Sequence, residues 1–401
     1  MKKTNTILVI IILSVIMAGC RKTKQLTDDF ITVDVTKGYP KKEIAVQDVF
    51  DVEYIKLETN DNFLTMGIVQ NIGEKVMITT NYGRGVPHGI FFFDRNGSGL
   101  RKISRRGQGP EEYASCNEIV LDEENNEIFI VSSVSRKIYV YDFFGNYKRS
   151  FAYIDSIDMY EHVASYDRDN LICHDGSWYI DYETRTFDPT HRNMFWIISK
   201  QDGSVTKEIE ITYTKKIYTT LDINGSVFMP MNIKRIFPYH DSWILVEVSS
   251  DTIYRYMPEH RMIPFIVRTP SIQSMDAKVY LFPSVMNDRF YFLHAVKQEF
   301  DFEADRFFSK NLIYDRREKA LFEYVLYNDD FTSKKPISDI WHRSLKAFLI
   351  NSEEIAFAEK LESYELVDAY KEGKLKGKLK EIVATLGEED NPVIMIAKHK
   401  R

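Results

Sequence analysis

"NEIVLDEENNEIFIVSSVSRKIYVYDFFGNYKRSF", residues 117–151, decides the fold. Ile119 and Leu121 alternate with other residues, as do Ile128 with Ile130 and Ile138 with Val140, the two-residue period of a strand with one face buried. Turn-forming residues separate these runs: Asp122 to Asn126 first, and Phe144-Gly145-Asn146 after "IYVYD". The glycine accepts the positive φ that a tight hairpin needs and returns the chain through Tyr147 to Phe151. Four short antiparallel strands in about 35 residues form a sheet that would expose both faces alone, so the unit must stack on copies of itself.

Degenerate copies lie on both sides. "IFFFDRNGSGLRKI" (90–103), "MFWIISKQDGSVTKEI" (194–209), "DTIYRYMPEHRMIPFIV" (251–267) and "NLIYDRREKALFEYV" (311–325) each repeat an apolar strand, a polar turn and a second strand. Aligned at Asp94, Asp142, Ser199, Met257 and Asp315, the units recur roughly every 48 to 58 residues, slightly longer than common propeller repeats. Five internal copies need closure. "NPVIMIAKHK" (391–400) offers a late strand and "FDVEYIKLET" (50–59) an early one, and pairing them in one sheet removes the open edges. The expectation is an all-β, six-bladed β-propeller of four-stranded antiparallel blades over residues 31–401. Residues 339–386 break the rhythm: Leu361, Leu366 and Ala369, then Leu379, Ile382 and Val383, follow helical spacing and predict a short, partly helical insertion before the C-terminal strand. In it, "KEGKLKGKLK" with Gly373 and Gly377 reads as a solvated turn region rather than a membrane-binding helix.

The N-terminus gives an address. "MKKTNTILVIIILSVIMAGC" starts with Lys2 and Lys3, continues through an apolar run too short for a comfortable span, and ends on Ala18, Gly19 and Cys20. It resembles a bacterial lipoprotein signal, which implies removal of residues 1–19 and lipidation of Cys20; residues 20–30 then form a flexible tether. Removing residues 1–19 takes away two lysines and no acid, so the formal charge moves from −6 to −8. A mildly acidic, mixed surface speaks against nucleic acid as a partner. Cys116 and Cys173 remain; the compartment permits a disulfide, but they fall in different repeats and two buried free thiols are the default reading.

Between two repeats stands "ISRRGQGPEEY" (103–113). A phosphate-cradling loop needs a helix N-terminus after it, and here Pro110 and another strand-rich repeat follow, so the glycines answer to the geometry of a sharp inter-blade crossing. Such a crossing can also display binding groups, making Arg105, Arg106, Gln108, Glu111, Glu112 and Tyr113 a candidate binding loop. "GQGPEEY", the 128–151 strands, "SDTIYRYMPEHRMIPFIV" and "EEDNPVIMIAKHK", in that order behind the lipoprotein-type signal, resemble the six-bladed, NHL-like β-propeller lipoproteins of Gram-negative anaerobic bacteria. The resemblance runs from about residue 30 to the end. It implies a protein of the cell envelope, lipid-anchored to the outer membrane, and transfers no catalytic residue.

Candidate chemistry is sparse. "ICHDGSWY" with His174 and Asp175, and "PYHDSW" with His240 and Asp241, are the most pocket-like clusters; each has a small residue and then a tryptophan, Trp178 or Trp243, which reads more simply as equivalent second-strand turns with packing indoles. "DEENNE" (122–127) lacks the glycine of a calcium loop and reads as a hairpin turn. Serine-nucleophile elbows, Cys-x-x-Cys pairs and His-Glu-x-x-His are absent from the sequence. No catalytic residue or resident cofactor is expected. Two functions stay open: a binding module for a glycan, peptide or partner protein, attached to the membrane through its lipidated N-terminus, or a metal-assisted hydrolase or lyase using a divalent metal in the central channel.

Overall fold

The computed structural model describes residues 30–81, 88–177, 180–181, 186–187, 194–228, 234–337 and 347–400. Cys20, the signal and tether up to residue 29, Trp178 and the first residues of the expected helical insertion lie outside these. Six sheets follow one another as blades of a propeller. The decisive stretch forms blade 2, with strands Glu118–Asp122, Glu127–Ser132, Lys137–Asp142 and Tyr147–Ala152 in consecutive antiparallel pairing. Blade 1 spans 68–103, blade 3 160–209, blade 4 236–269 and blade 5 279–328.

The repeated residues earn their places by turn chemistry. Asp94 Oδ1 accepts from Asn96 N (2.8 Å) and Ser98 N (2.9 Å), Asp142 Oδ1 from Phe144 N (2.8 Å) and Asn146 N (2.9 Å), and Asp315 Oδ1 from Arg317 N (2.9 Å). Each aspartate thus satisfies backbone donors that the turn leaves orphaned. A positive φ recurs within the same turn at Gly97, Gly145, Gly203, His260 and Lys319.

Packing shows why the ring is one object. Among the described residues there are six apolar clusters, one between each pair of neighbouring blades. In blade 2 the strand period sorts the side chains: Ile128 and Ile130 join blade 1, whereas Phe129 and Val131 join blade 3. Blade 6 closes the circle: Phe50–Lys56 pairs antiparallel with Val393–His399, from Phe50↔His399 to Lys56↔Val393, beside Ile355–Leu361 and Ala347–Leu349.

Two features depart from the sequence reading. Among the described residues of the expected insertion, helices occupy Ser363–Lys371 and Gly377–Val383, and Ile355–Leu361 is a blade strand. All seven residues of that strand are buried, so it lacks the apolar–polar alternation that marks a half-exposed strand. Of "KEGKLKGKLK", only the part before Gly377 links the helices; the rest starts the second one. The N-terminal segment also does more than reach the closing strand. Ile31–Asp34 adds a parallel strand to the outer edge of blade 4 and Lys41–Ala45 one to blade 5, covering both edges.

Candidate functional site

Antiparallel order puts each crossing from a fourth strand to the next blade's first strand at one end of the ring, together with the turns between second and third strands. The turns between first and second strands lie at the opposite end. The 103–113 loop, His174 and Asp175 therefore share the upper end, whereas His240 and Asp241 occupy the first-to-second turn of blade 4 at the lower end. The two His-Asp pairs are not equivalent second-strand turns, and no single pocket contains both. The shared dipeptide misleads because His174 lies inside a strand, opposite His162 and Phe195, while His240 forms a two-residue turn at φ +51°. Trp243 does pack, stacking on Tyr166 of blade 3 at 5.8 Å between centroids.

The 103–113 loop is largely self-contained. Gly107 N donates to Tyr113 O (3.1 Å), Tyr113 N to Arg105 O (3.2 Å) and Gly109 N to the Glu112 carboxylate (2.9 Å). A Cβ on Gly107 would lie 1.9 Å from Glu112 Oε2, so close approach of that carboxylate requires the glycine. Tyr113 is buried against Tyr141, and burial raises its phenol pKa. Glu112 and Tyr113 thus hold the loop's shape, while Arg105, Arg106, Gln108 and Glu111 are exposed. Arg106 touches the His88 ring and donates to Ala114 O (3.2 Å).

A charged corner where blades 3, 4 and 5 meet is the stronger site. Glu161, the second residue of blade 3's innermost strand, accepts from Arg235 Nε at 3.2 Å and approaches His174 Nδ1 at 3.0 Å. Arg235 precedes the innermost strand of blade 4, and its guanidinium lies over the Phe282 ring of blade 5. Lys216, from the crossing between blades 3 and 4, pairs with Glu247 at 3.3 Å, and Glu247 Oε1 also accepts from Ser249 N (2.9 Å). Glu247, Asp251, Arg268 and Tyr280 line a small cleft between blades 4 and 5. His174, Arg235, Lys216, Glu247 and Arg268 are all more than nine-tenths buried; the Glu161 side chain, 26% exposed, opens the corner to solvent.

Burial sets the electrostatics. It would raise the carboxyl pKa of Glu161, but Arg235 and His174 outweigh it and hold Glu161 well below the usual range; Lys216 does the same for Glu247. Burial lowers the His174 imidazole despite Glu161, lowers Lys216, and pushes the Arg268 guanidinium down to about 10. Donors outnumber acceptors here. Among the described residues the donors Arg235 Nη1 and Arg268 Nε and Nη1 are buried without a hydrogen-bond partner. Buried polar groups are normally satisfied by protein, water or a bound group, so these nitrogens have room for a further acceptor.

Sequence reasoning found only His174 and Asp175 in this corner. Asp175 has a local task, its Oδ1 accepting from Ser177 N (2.8 Å). Glu161, Arg235, Lys216, Glu247 and Arg268 were missed, although one signal existed: Glu118, Glu161 and Arg235 place a charge where the innermost strand of three consecutive blades begins. Blade 2 joins the set through Glu118, whose Oε2 accepts from Val163 N at 2.7 Å. The "DEENNE" turn is a hairpin, as expected; Asp122 pairs across to Lys200 of blade 3 (2.6 Å), and Glu127 takes two bonds from Arg149 within blade 2 (2.9 and 2.7 Å). Cys116 and Cys173 form no disulfide; Cys173 is buried, but Cys116 is exposed, against the default reading, because it sits in the upper crossing loop. Among the described residues no three His, Cys, Asp or Glu side chains are grouped to hold a metal ion.

One solved structure supports the fold. An exported-protein candidate from Bacteroides fragilis aligns over 93% of this chain and 100% of its own, at 15% identity and a TM-score of 0.60, which shows the fold alone. A DUF4221 family member from Bacteroides vulgatus covers 88% of this chain and 97% of its own at 10% identity and a TM-score of 0.47. Virginiamycin B lyase from Staphylococcus aureus covers 88% and 100% at 10% identity and a TM-score of 0.39. A comparison with curated proteins found no match. The domain of unknown function DUF4934 matches residues 30–398, nearly the whole described ring, and the chain belongs to that family.

Proposed function

We propose that this protein is a lipid-anchored component of the bacterial outer membrane whose propeller binds a glycan, a peptide or a partner protein at its upper end, without chemistry of its own. The lipoprotein-type signal ending on Cys20 supports the anchor, and the description of the similar Bacteroides fragilis protein as an exported-protein candidate agrees with an envelope address. The observation that carries the binding role is the set of orphaned guanidinium donors on Arg235 and Arg268. A buried donor without an acceptor costs about 1–3 kcal/mol. Ligand hydroxyl, amide or carboxylate oxygens entering beside Glu161 supply those acceptors, displacing water.

The test is a soluble chain beginning at Leu26 screened on glycan and peptide arrays, with Arg235→Lys and Glu161→Gln variants beside it. Binding that weakens about tenfold or more in both variants supports the reading; array hits indifferent to both, or no hits, overturn it. For the anchor, Cys20→Ala in the full chain should abolish incorporation of labelled fatty acid and release the protein from the membrane fraction. A stoichiometric divalent metal in the purified protein would instead favour the hydrolase or lyase.

A further inference from the structure

Blade 5 carries a projection that its neighbours lack. Its second and third strands, Phe290–Asp301 and Arg306–Asp315, contain 12 and 10 residues, where those of blades 1 to 3 contain 5 or 6. Pairing runs from Phe290↔Asp315 up to Asp301↔Arg306, so the hairpin extends past the blade at the upper end. Its flank is braced: Gln298 Nε2 donates to Thr220 O (2.7 Å), and Phe300 lies tilted against Phe228 of the small hairpin Leu221–Phe228, with centroids 4.6 Å apart. Phe307 backs Phe300 from the other strand at 5.2 Å.

The braced tip then leaves apolar surface uncovered. Phe302 is 63% exposed although it touches Phe228 and Phe300, and Phe308 is 45% exposed. Single exposed apolar residues are ordinary, but a rigid aromatic cluster at the end of a projecting hairpin has the make-up of an interface anchor. Charge selects the occupant. Between residues 297 and 308, Glu299, Asp301, Glu303 and Asp305 stand against Lys297, which pairs with Glu299, and Arg306, a net charge of −2. The net negative charge around the aromatic tip disfavours an anionic lipid surface and suits basic side chains flanking an apolar pocket. We infer that the 298–308 hairpin is a docking element for a partner protein that presents lysine or arginine around an apolar pocket receiving Phe302. This surface is separate from the corner at blades 3 to 5 and does not depend on it.

The probe is a fluorescently labelled amphipathic peptide of lysine and leucine, compared with its glutamate and leucine counterpart by anisotropy against the Leu26-start protein. The expected result is at least about tenfold tighter binding of the basic peptide, weakening as salt rises, with about tenfold lost in Phe302→Ser and again in Glu299→Lys/Glu303→Lys. Unchanged thermal midpoints confirm that these surface variants fold. Equal binding of both peptides, no binding, or indifference to the variants overturns the inference. So does flotation with phosphatidylglycerol vesicles through Phe302, which assigns the tip to a bilayer, or a dimer abolished by Phe302→Ser, which assigns it to a second copy.

Discussion

His174-Asp175 and His240-Asp241 carry the same two residues into opposite circumstances. The first pair ends a second strand: the His174 ring lies 4.7 Å from that of Phe195, is 4% exposed, and faces Glu161. The second makes a two-residue hairpin turn at the other end of the ring, where His240 meets the exposed Asp288 at 3.3 Å and Asp241 accepts from Arg255 Nη2 at 3.0 Å. A side chain's role follows from the level it occupies in the blade, because that level decides whether water or a neighbouring blade surrounds it. Identical short phrases do not report level.

The contrast can be broken most forcefully at the buried corner. Glu161→Gln leaves the Arg235 guanidinium buried and uncompensated, which should cost about 3 kcal/mol in urea unfolding; Glu161→Gln/Arg235→Met should recover part of it, since neither charge is then stranded. A loss below about 1 kcal/mol in the single variant would mean that solvent screens the pair. Next in size, His174→Ala should lower stability by about 2 kcal/mol, whereas His240→Ala should stay within about 0.5 kcal/mol. Equal losses would erase the distinction.

Acid sharpens the same comparison. Because burial lowers the His174 pKa in the folded protein, the unfolded chain takes up a proton first, and stability falls as pH drops below about 6.5 toward the folded value. His174→Gln should flatten that slope above pH ~5; a residual slope remains from His399, which burial also lowers. The lowered Glu161 and Glu247 act further down, their contribution being complete above about 4.3 and lost as pH falls below it. An unchanged slope in His174→Gln would place that imidazole in water. The smallest effect belongs to the turn: His240→Gly should raise stability by about 0.5 kcal/mol by relieving a positive φ, read as a small rise in melting temperature.

Much of the architecture was legible from particular residues. Ile128 with Ile130 and Ile138 with Val140 announce strands of blade 2 by their two-residue period, and Asp142 with Gly145 announces its turn; both signals act within a few residues. Phe50 and His399 could be paired across the whole chain because only two strands lacked partners. The buried strand Ile355–Leu361 was misread since burial on both faces removes its period, and the edge strands at Ile31 and Lys41 carry no pattern of their own because backbone pairing, not side chains, places them. In the corner, His174 drew attention for its chemistry, while Glu161 and Arg235 looked like ordinary strand-end charges.

The order of strands, the number of blades and the way the chain ends meet were written in local alternation and turn residues, which any short window displays. Which charges converge was settled only in three dimensions. Glu161 and Arg235 are 74 residues apart and meet because adjacent wedges bring the starts of their innermost strands together toward the ring's axis. That meeting is a property of the angle between sheets, to which no spacing along the chain corresponds.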